Sequence, residues 1–206
     1  DFGNLHVLNT VPKGAGQIEF EYARSALKNG LREAARTGTN PFKFGMIGST
    51  DAHTSLATAA EDDFWGKTAN VEPGPRSKNA SISLGDTPGR VLFDTWDFVA
   101  SGYAAVWATE NTREAIFAAM QRKEVYATTG SRIAVRLFGG WGFDAEDLDR
   151  PDAVRHGYRN GVPMGGDLKS GEGKTPGFLV TAMKDPRGAN LDRVQIVKGW
   201  LEADGT

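Results

Sequence analysis

The chain has 206 residues and no cysteine, which excludes disulfides and thiolate metal sites but leaves the compartment open. It has no run of about 18 apolar residues, so no segment reads as a membrane-spanning helix. It has no excess of positive charge either. Its 24 Lys and Arg stand against 26 Asp and Glu, a net charge of −2, which offers no basic footprint for nucleic acid or for anionic membranes. Asp1–Thr10 has neither a basic start nor an apolar core and is not a signal peptide. Internal repeats and low-complexity tracts are absent. Histidine is scarce: His6, His53 and His156 are the only three.

What is present is globular in balance, 39% hydrophobic and 24% charged, with enough chain for one large or two small domains. Gln17–Thr37 carries Ile18, Tyr22, Ala26, Leu27, Leu31, Ala34 and Ala35 at helical spacing and stops at Gly38. Asn40-Pro41 restarts the chain as an extended segment into an apolar run, Phe44–Ile47, that reads as the end of a buried strand. Residues 55–90 lack periodicity and read as a long loop. Asn111 is placed to cap a helix, with Glu114 at the capping-box position and Ala115, Ala118, Ala119 and Met120 toward the core. Val125–Thr129, Arg132–Phe138, Phe178–Met183 and Arg193–Val197 read as strands, the last two separated by an Asp185–Gly188 turn. Before about residue 130 helices alternate with single strands, as in parallel βα units. After it, short strands and Gly/Pro turns suggest a small antiparallel sheet.

The most informative stretch is Gly48-Ser49-Thr50-Asp51-Ala52-His53-Thr54, directly after the Phe44–Ile47 run. At i and i+2 of an extended segment, Asp51 and His53 point the same way. One hard oxygen and one borderline nitrogen donor then converge, a set suited to Zn²⁺, Mn²⁺ or Fe²⁺ rather than Ca²⁺. Gly48, Ser49 and Thr54 are small enough to admit a metal or substrate to the backbone. From spacing alone, Asp51 as a turn cap and His53 as an ordinary loop histidine stand as the alternative.

The segment Phe44–Thr54 resembles the last metal-binding motif of the PHP (polymerase and histidinol phosphatase) superfamily, in which Ser-Asp-x-His ends a barrel strand. Glu21–Leu31, Asn40–Thr54, Ala104–Ile116, Tyr126–Ile133, Gly161–Leu168 and Asp185–Trp200 are similar to one PHP-like branch, the DUF3604 family. The resemblance covers nearly the whole chain. It implies an α/β fold: residues 1–130 as the C-terminal portion of a PHP-like (β/α) barrel, and residues 131–206 as a small antiparallel β-rich region. PHP proteins open with a His-x-His strand. Gly3–Thr10 is similar to that motif only superficially, with Asn4 in place of the acid and Leu8 in place of the second His. The chain therefore reads as part of a longer protein, and His6 as a coincidence or a loop residue rather than a ligand.

Other polar residues are weighed against plainer roles. Glu61, Asp62 and Asp63 form an acidic run that suits a solvated face as well as a ligand set. Thr128 and Thr129, ending a strand, offer hydroxyls to a substrate oxyanion, or serve β-propensity alone. Arg132 and Arg113 offer bidentate contacts to an anionic substrate, or pair with surface acids. Gly165-Gly166-Asp167 reads as a tight turn and His156 as an exposed histidine without a ligand role. Trp65, Trp96, Trp107, Trp141 and Trp200 read as core or pocket walls.

The function expected from this resemblance is metal-dependent hydrolysis of a small-molecule phosphoester or ester by a metal-activated water. Asp51 and His53 are the expected ligands of a divalent Zn, Mn or Fe ion, and Arg132, Thr128 and Thr129 the expected substrate-binding residues. The expected partners are that substrate, and the missing N-terminal part of the same protein or a second chain, without which the fragment is inactive. No nucleic acid and no membrane span are expected. The resemblance also implies a periplasmic or secreted protein. The competing expectation is a non-catalytic exported binding or scaffold protein whose metal is structural or absent.

Overall fold

A computed structural model of the chain describes residues 16, 20, 22–53, 81–83, 92–94, 102–171, 173–203 and 205. These fall into two compact units. The first holds helix α1 (Ala23–Thr37), the hairpin pair β1 (Ser81–Ser83) and β2 (Leu92–Asp94), and the segment from Gln195. α1 ends where the Gly38 N–H reaches back to the Ala34 carbonyl at 2.9 Å. Gly30 is its buried residue and faces the Asn40 side chain, whose Oδ1 accepts the Phe42 N–H at 2.9 Å. On the exposed side, Arg36 pairs with Glu33 one turn earlier, 2.6 Å apart. The loop expected over 55–90 lies mostly outside the described residues, but Ser81–Ser83 within it pairs antiparallel with β2.

The second unit carries everything from Phe44 to His53 and from β3 to β7. β3 (Ala104–Val106) and β4 (Val125–Ala127) pair antiparallel, joined by helix α2 (Arg113–Gln121). The helix is capped by Thr112, whose Oγ1 accepts the Ala115 N–H, and not by Asn111 as expected. With the cap one residue later, Glu114 falls in the first turn, where a carboxylate meets the helix dipole favourably. Ala119 is fully buried, while Met120 is exposed, against expectation, because it lies around the helix from the Ala119 face. α2 closes with the Glu124 N–H on the Ala119 carbonyl and the Lys123 N–H on the Met120 carbonyl. Lys123 takes the left-handed conformation that this ending requires (φ +60°).

β5 (Ala134–Gly140) is the centre of a three-stranded antiparallel sheet, between β6 (Gly161–Pro163) and β7 (Gly177–Met183). Ala134 faces Met183 at one end of the β5–β7 ladder and Gly140 faces Gly177 at the other. A 3-10 turn (Ala145–Asp149) and helix α3 (Ala153–Asn160) connect β5 to β6. Among the described residues, the buried apolar ones are Ala119, Phe138 on β5 and Leu179 on β7. α3 packs on β5 through Gly157: a Cβ there would lie 2.5 Å from the Phe138 ring. Phe138 also meets Tyr158 edge-on, ring centroids 4.9 Å apart. The tight turn expected at Gly165-Gly166 is present, with the Gly166 N–H on the Pro163 carbonyl.

The architecture is mixed helix and strand with small antiparallel sheets, and among the described residues no closed barrel forms. Every described strand pair is antiparallel, including the pairs in the half that the sequence suggests is parallel. Phe44–Ile47 and Arg193–Val197, both expected as strands, lie in no ladder. Their apolar side chains are exposed instead, Ile47 to 57% and Val194 to 60%. An apolar run without a paired backbone neighbour has the composition of a strand and none of its hydrogen bonds.

Candidate functional site

The turn at Asp51–His53 is built from the small residues before it. A Cβ on Gly48 would lie 2.7 Å from the carbonyl oxygens of both Tyr103 and Thr128. Only a glycine lets the chain press this close to the β3–β4 pair. Gly102 meets the same oxygen from the other side: its Cβ would fall 2.0 Å from Thr128 O and 3.6 Å from Ser49 O, and its φ is +75°. So the backbone approaching Asp51 is wedged against the start of β3 and the end of β4. Thr50 then turns the chain, its hydroxyl accepting the Ala52 N–H at 3.3 Å.

Asp51 adopts a left-handed backbone, φ +51°, a conformation open mainly to Gly, Asn and Asp. With that bend, Asp51 Oδ1 and His53 Nε2 lie 2.9 Å apart, and both side chains are about half exposed. Two donors bound at about 2.1 Å to one ion at a right angle are separated by about 3 Å, so the pair fits as two neighbouring ligands. The same separation serves a hydrogen bond from a protonated Nε2 to the carboxylate. Among the described residues, no third His, Cys, Asp or Glu joins them as a metal-binding group.

Thr128 lies at the wedge itself. Its Oγ1 accepts the Tyr103 N–H at 3.0 Å, and its own N–H is held by the Tyr103 carbonyl at 3.2 Å. The hydroxyl proton is left to donate elsewhere. Thr129 is exposed beyond it. The Arg132 guanidinium stands over the Tyr103 ring, 5.4 Å from its centroid. Tyr103 therefore connects three of the residues singled out in the sequence: its backbone holds Thr128, its carbonyl abuts Gly48 at the root of the Asp51 turn, and its ring carries Arg132. Nothing in the sequence marks Tyr103; the positive-φ glycine before it is the nearest signal.

Arg132 is fixed from below. Asp185, buried at the end of β7, accepts the Arg132 N–H at 2.6 Å through Oδ2 and the Arg187 N–H at 3.0 Å through Oδ1. The N–H of Arg187, then that of Arg132, hold its carboxyl below the usual carboxylate range, against the effect of burial. The turn expected at Asp185–Gly188 is thus also a clamp on the β4–β5 connection.

A second network braces the same unit. Trp107 donates its indole N–H to the Val135 carbonyl at 2.9 Å, tying β3 to β5. The Arg136 guanidinium stacks 3.7 Å over Trp107. Glu124 is 4% exposed and takes Arg122 Nε at 2.7 Å and the Tyr158 hydroxyl at 2.6 Å. Burial, then the Glu124 carboxylate, raise the Tyr158 phenol above its usual range. Sequence reasoning did not single out Glu124, because a Glu after a basic pair reads as surface.

The remaining candidates sit apart from this arrangement. Arg113 opens α2 on its exposed side. His156 is not exposed as expected but half-buried: Asp147, itself buried, lies 2.9 Å from its Nε2, and Asn160 Nδ2 lies 3.1 Å from its Nδ1. Both ring nitrogens are engaged, because the polar stretch 144–160 folds into a capped turn that buries Asp147 and a helix that sets His156 and Asn160 one turn apart. Trp200 is 60% exposed and so is no core wall. His6, Glu61, Asp62, Asp63, Trp65 and Trp96 lie outside the described residues.

No curated protein and no solved structure matches the chain. The family described as "Protein of unknown function (DUF3604)" matches residues 1–206. The likeness noted in the blocks from Glu21 to Trp200 therefore extends over the full sequence, and the chain belongs to the DUF3604 family.

Proposed function

We propose that this protein is a metal-dependent hydrolase of the PHP type, acting on a small phosphoester or carboxylic ester. The observation that supports this reading is the meeting of Asp51 Oδ1 and His53 Nε2 at 2.9 Å on an exposed turn. In this reading the described elements belong to the closing part of a PHP-like barrel. The remaining ligands come from residues outside the described ones, from the rest of a longer protein, or from a second chain.

Asp51 and His53 would hold a divalent Zn, Mn or Fe ion, the carboxylate supplying charge and the imidazole a neutral nitrogen. Such an ion, when bound, supplies an acidified water and polarises the ester or phosphoryl oxygen. The protein's own share is positioning. The wedge at Gly48 and Gly102 fixes the turn, so the two donors are held together before any ligand arrives. Arg132, braced by Asp185 and Tyr103, supplies a guanidinium for an anionic group of the substrate. The Thr128 hydroxyl proton and the exposed Thr129 would donate to substrate oxygens.

The test is metal analysis together with turnover of p-nitrophenyl phosphate and p-nitrophenyl acetate, in the intact metal-loaded protein. Asp51→Ala and His53→Ala should each lower metal content and reduce turnover at least about a hundredfold, about 2.7 kcal/mol of transition-state stabilisation, with circular dichroism unchanged. Arg132→Ala should raise KM for the phosphoester much more than for the neutral ester. Absence of metal-dependent turnover on both ester classes would overturn the hydrolase reading in favour of an exported binding or scaffold protein.

A further inference from the structure

Just past the end of β5, Trp141, the C-terminal end of α3, residues 167–171 and Lys174 line an open depression of about 570 Å³. Its floor is rigid. Trp141 donates its indole N–H to the Lys169 carbonyl at 3.0 Å. Gly171 lies so close beneath that a Cβ there would sit 2.5 Å from the indole ring. The Asn160 amide, also in the wall, is held by His156 at 3.1 Å.

The charge around this floor is one-sided. Arg159, Lys169 and Lys174 all line the depression, and among the described residues none of the three forms an ion pair. Elsewhere Arg36, Arg122, Arg150 and Arg193 each hold a carboxylate within 3.1 Å. Among the described residues of the wall, Asp167 is the one acid beside the three cations. Such a concentration of unpaired cations about a concave surface attracts anions.

Size and lining narrow the ligand further. The volume lies within the roughly 300–1,000 Å³ typical of sites for organic ligands, well above what a lone phosphate or sulfate fills. A fixed indole beside the amide of Asn160 and the hydroxyl of Ser170 offers an apolar plate with hydrogen-bonding groups around it. That combination suits a sugar ring, and the cations suit acidic groups on it. We propose that this depression binds an anionic saccharide, a sugar unit or short chain carrying sulfate, phosphate or carboxylate groups. The inference stands independently of the hydrolase reading, since it uses none of the same residues.

Isothermal titration of the 206-residue chain tests it, with five probes: a sulfated disaccharide, a uronate-containing disaccharide, a neutral disaccharide, inorganic sulfate and a short single-stranded oligonucleotide. The two charged disaccharides separate sulfate from carboxylate as the recognised group. At least one of them should bind at least about tenfold more tightly than the neutral disaccharide and the inorganic ion. Arg159→Ser with Lys174→Ser, both exposed side chains outside any ion pair, should weaken that binding at least about tenfold, about 1.4 kcal/mol, without changing Tm. Binding unaffected by this double substitution would overturn the proposal. So would an inorganic ion or an oligonucleotide that binds as tightly as the best saccharide, or no saccharide binding at all.

Discussion

Asp185 shows how one side chain organises a loop. Its two oxygens hold two backbone N–H groups, those of Arg132 and Arg187, and these bonds are strongest to the ionised form. Because its carboxyl is held below the usual range, this contribution is fully present above the ordinary aspartate pKa, about 3.9, and is lost as pH falls through the lower folded value. Asp185→Asn should therefore lower Tm at pH 7, and the gap to the native protein should close as the pH is taken below about 4 in a series of thermal melts. A gap independent of pH would mean that the carboxylate charge plays no part. Tyr158 belongs to the same scale. Its hydroxyl is one of two groups on the buried Glu124 carboxylate, so Tyr158→Phe should cost about 1–3 kcal/mol in chemical denaturation.

Among the elements, those with two-residue alternation were legible from sequence. Val135 and Leu137 flank Arg136, and β5 forms around them from Ala134, extended to Gly140 by pairing with Gly177. Phe178–Met183 formed β7 for the same reason. Phe44–Ile47 misled because apolar content is local, whereas a strand needs a partner backbone that no window of sequence contains. The cap of α2 was missed by one residue, since Asn111 and Thr112 are both able caps and only the final turn geometry chooses. The nearness of Asp51 and His53 was legible from sequence, but its frame was not: Tyr103 and Gly102 join it through contacts distant in sequence. Two substitutions test the frame of the elements. Thr112→Ala should cost about 0.5–2 kcal/mol by removing the cap. Gly157→Ala should cost about 1–3 kcal/mol, because the added methyl meets the Phe138 ring. Denaturant titration of each variant measures both.

For the molecule as a whole, the surface carries more unpaired apolar side chains than its described sheets account for. Phe44, Met46 and Ile47 are exposed in one segment, and Val194, Ile196, Val197 and Trp200 in another. Runs of this kind bind hydrophobic dyes and favour association. Met46→Ser with Ile47→Ser, and separately Ile196→Ser with Val197→Ser, should each lower 1-anilinonaphthalene-8-sulfonate fluorescence. Each should shift stability by no more than about 0.5 kcal/mol per residue, as exposed positions do. A loss of several kcal/mol would place those side chains in a core instead.

The left-handed bend at Asp51 has its own bearing on how relatives of this protein should be sorted. For most residues this conformation costs about 1–2 kcal/mol, while Asn and Asp adopt it readily. An Asn at position 51 would keep the turn and the placement of His53 while removing the negative donor. Two relatives differing only in that atom would then superpose closely and differ in metal affinity. Under the proposed metal-dependent reading, the identity of residue 51 would be a sharper marker of a working centre within the family than the course of the loop that carries it.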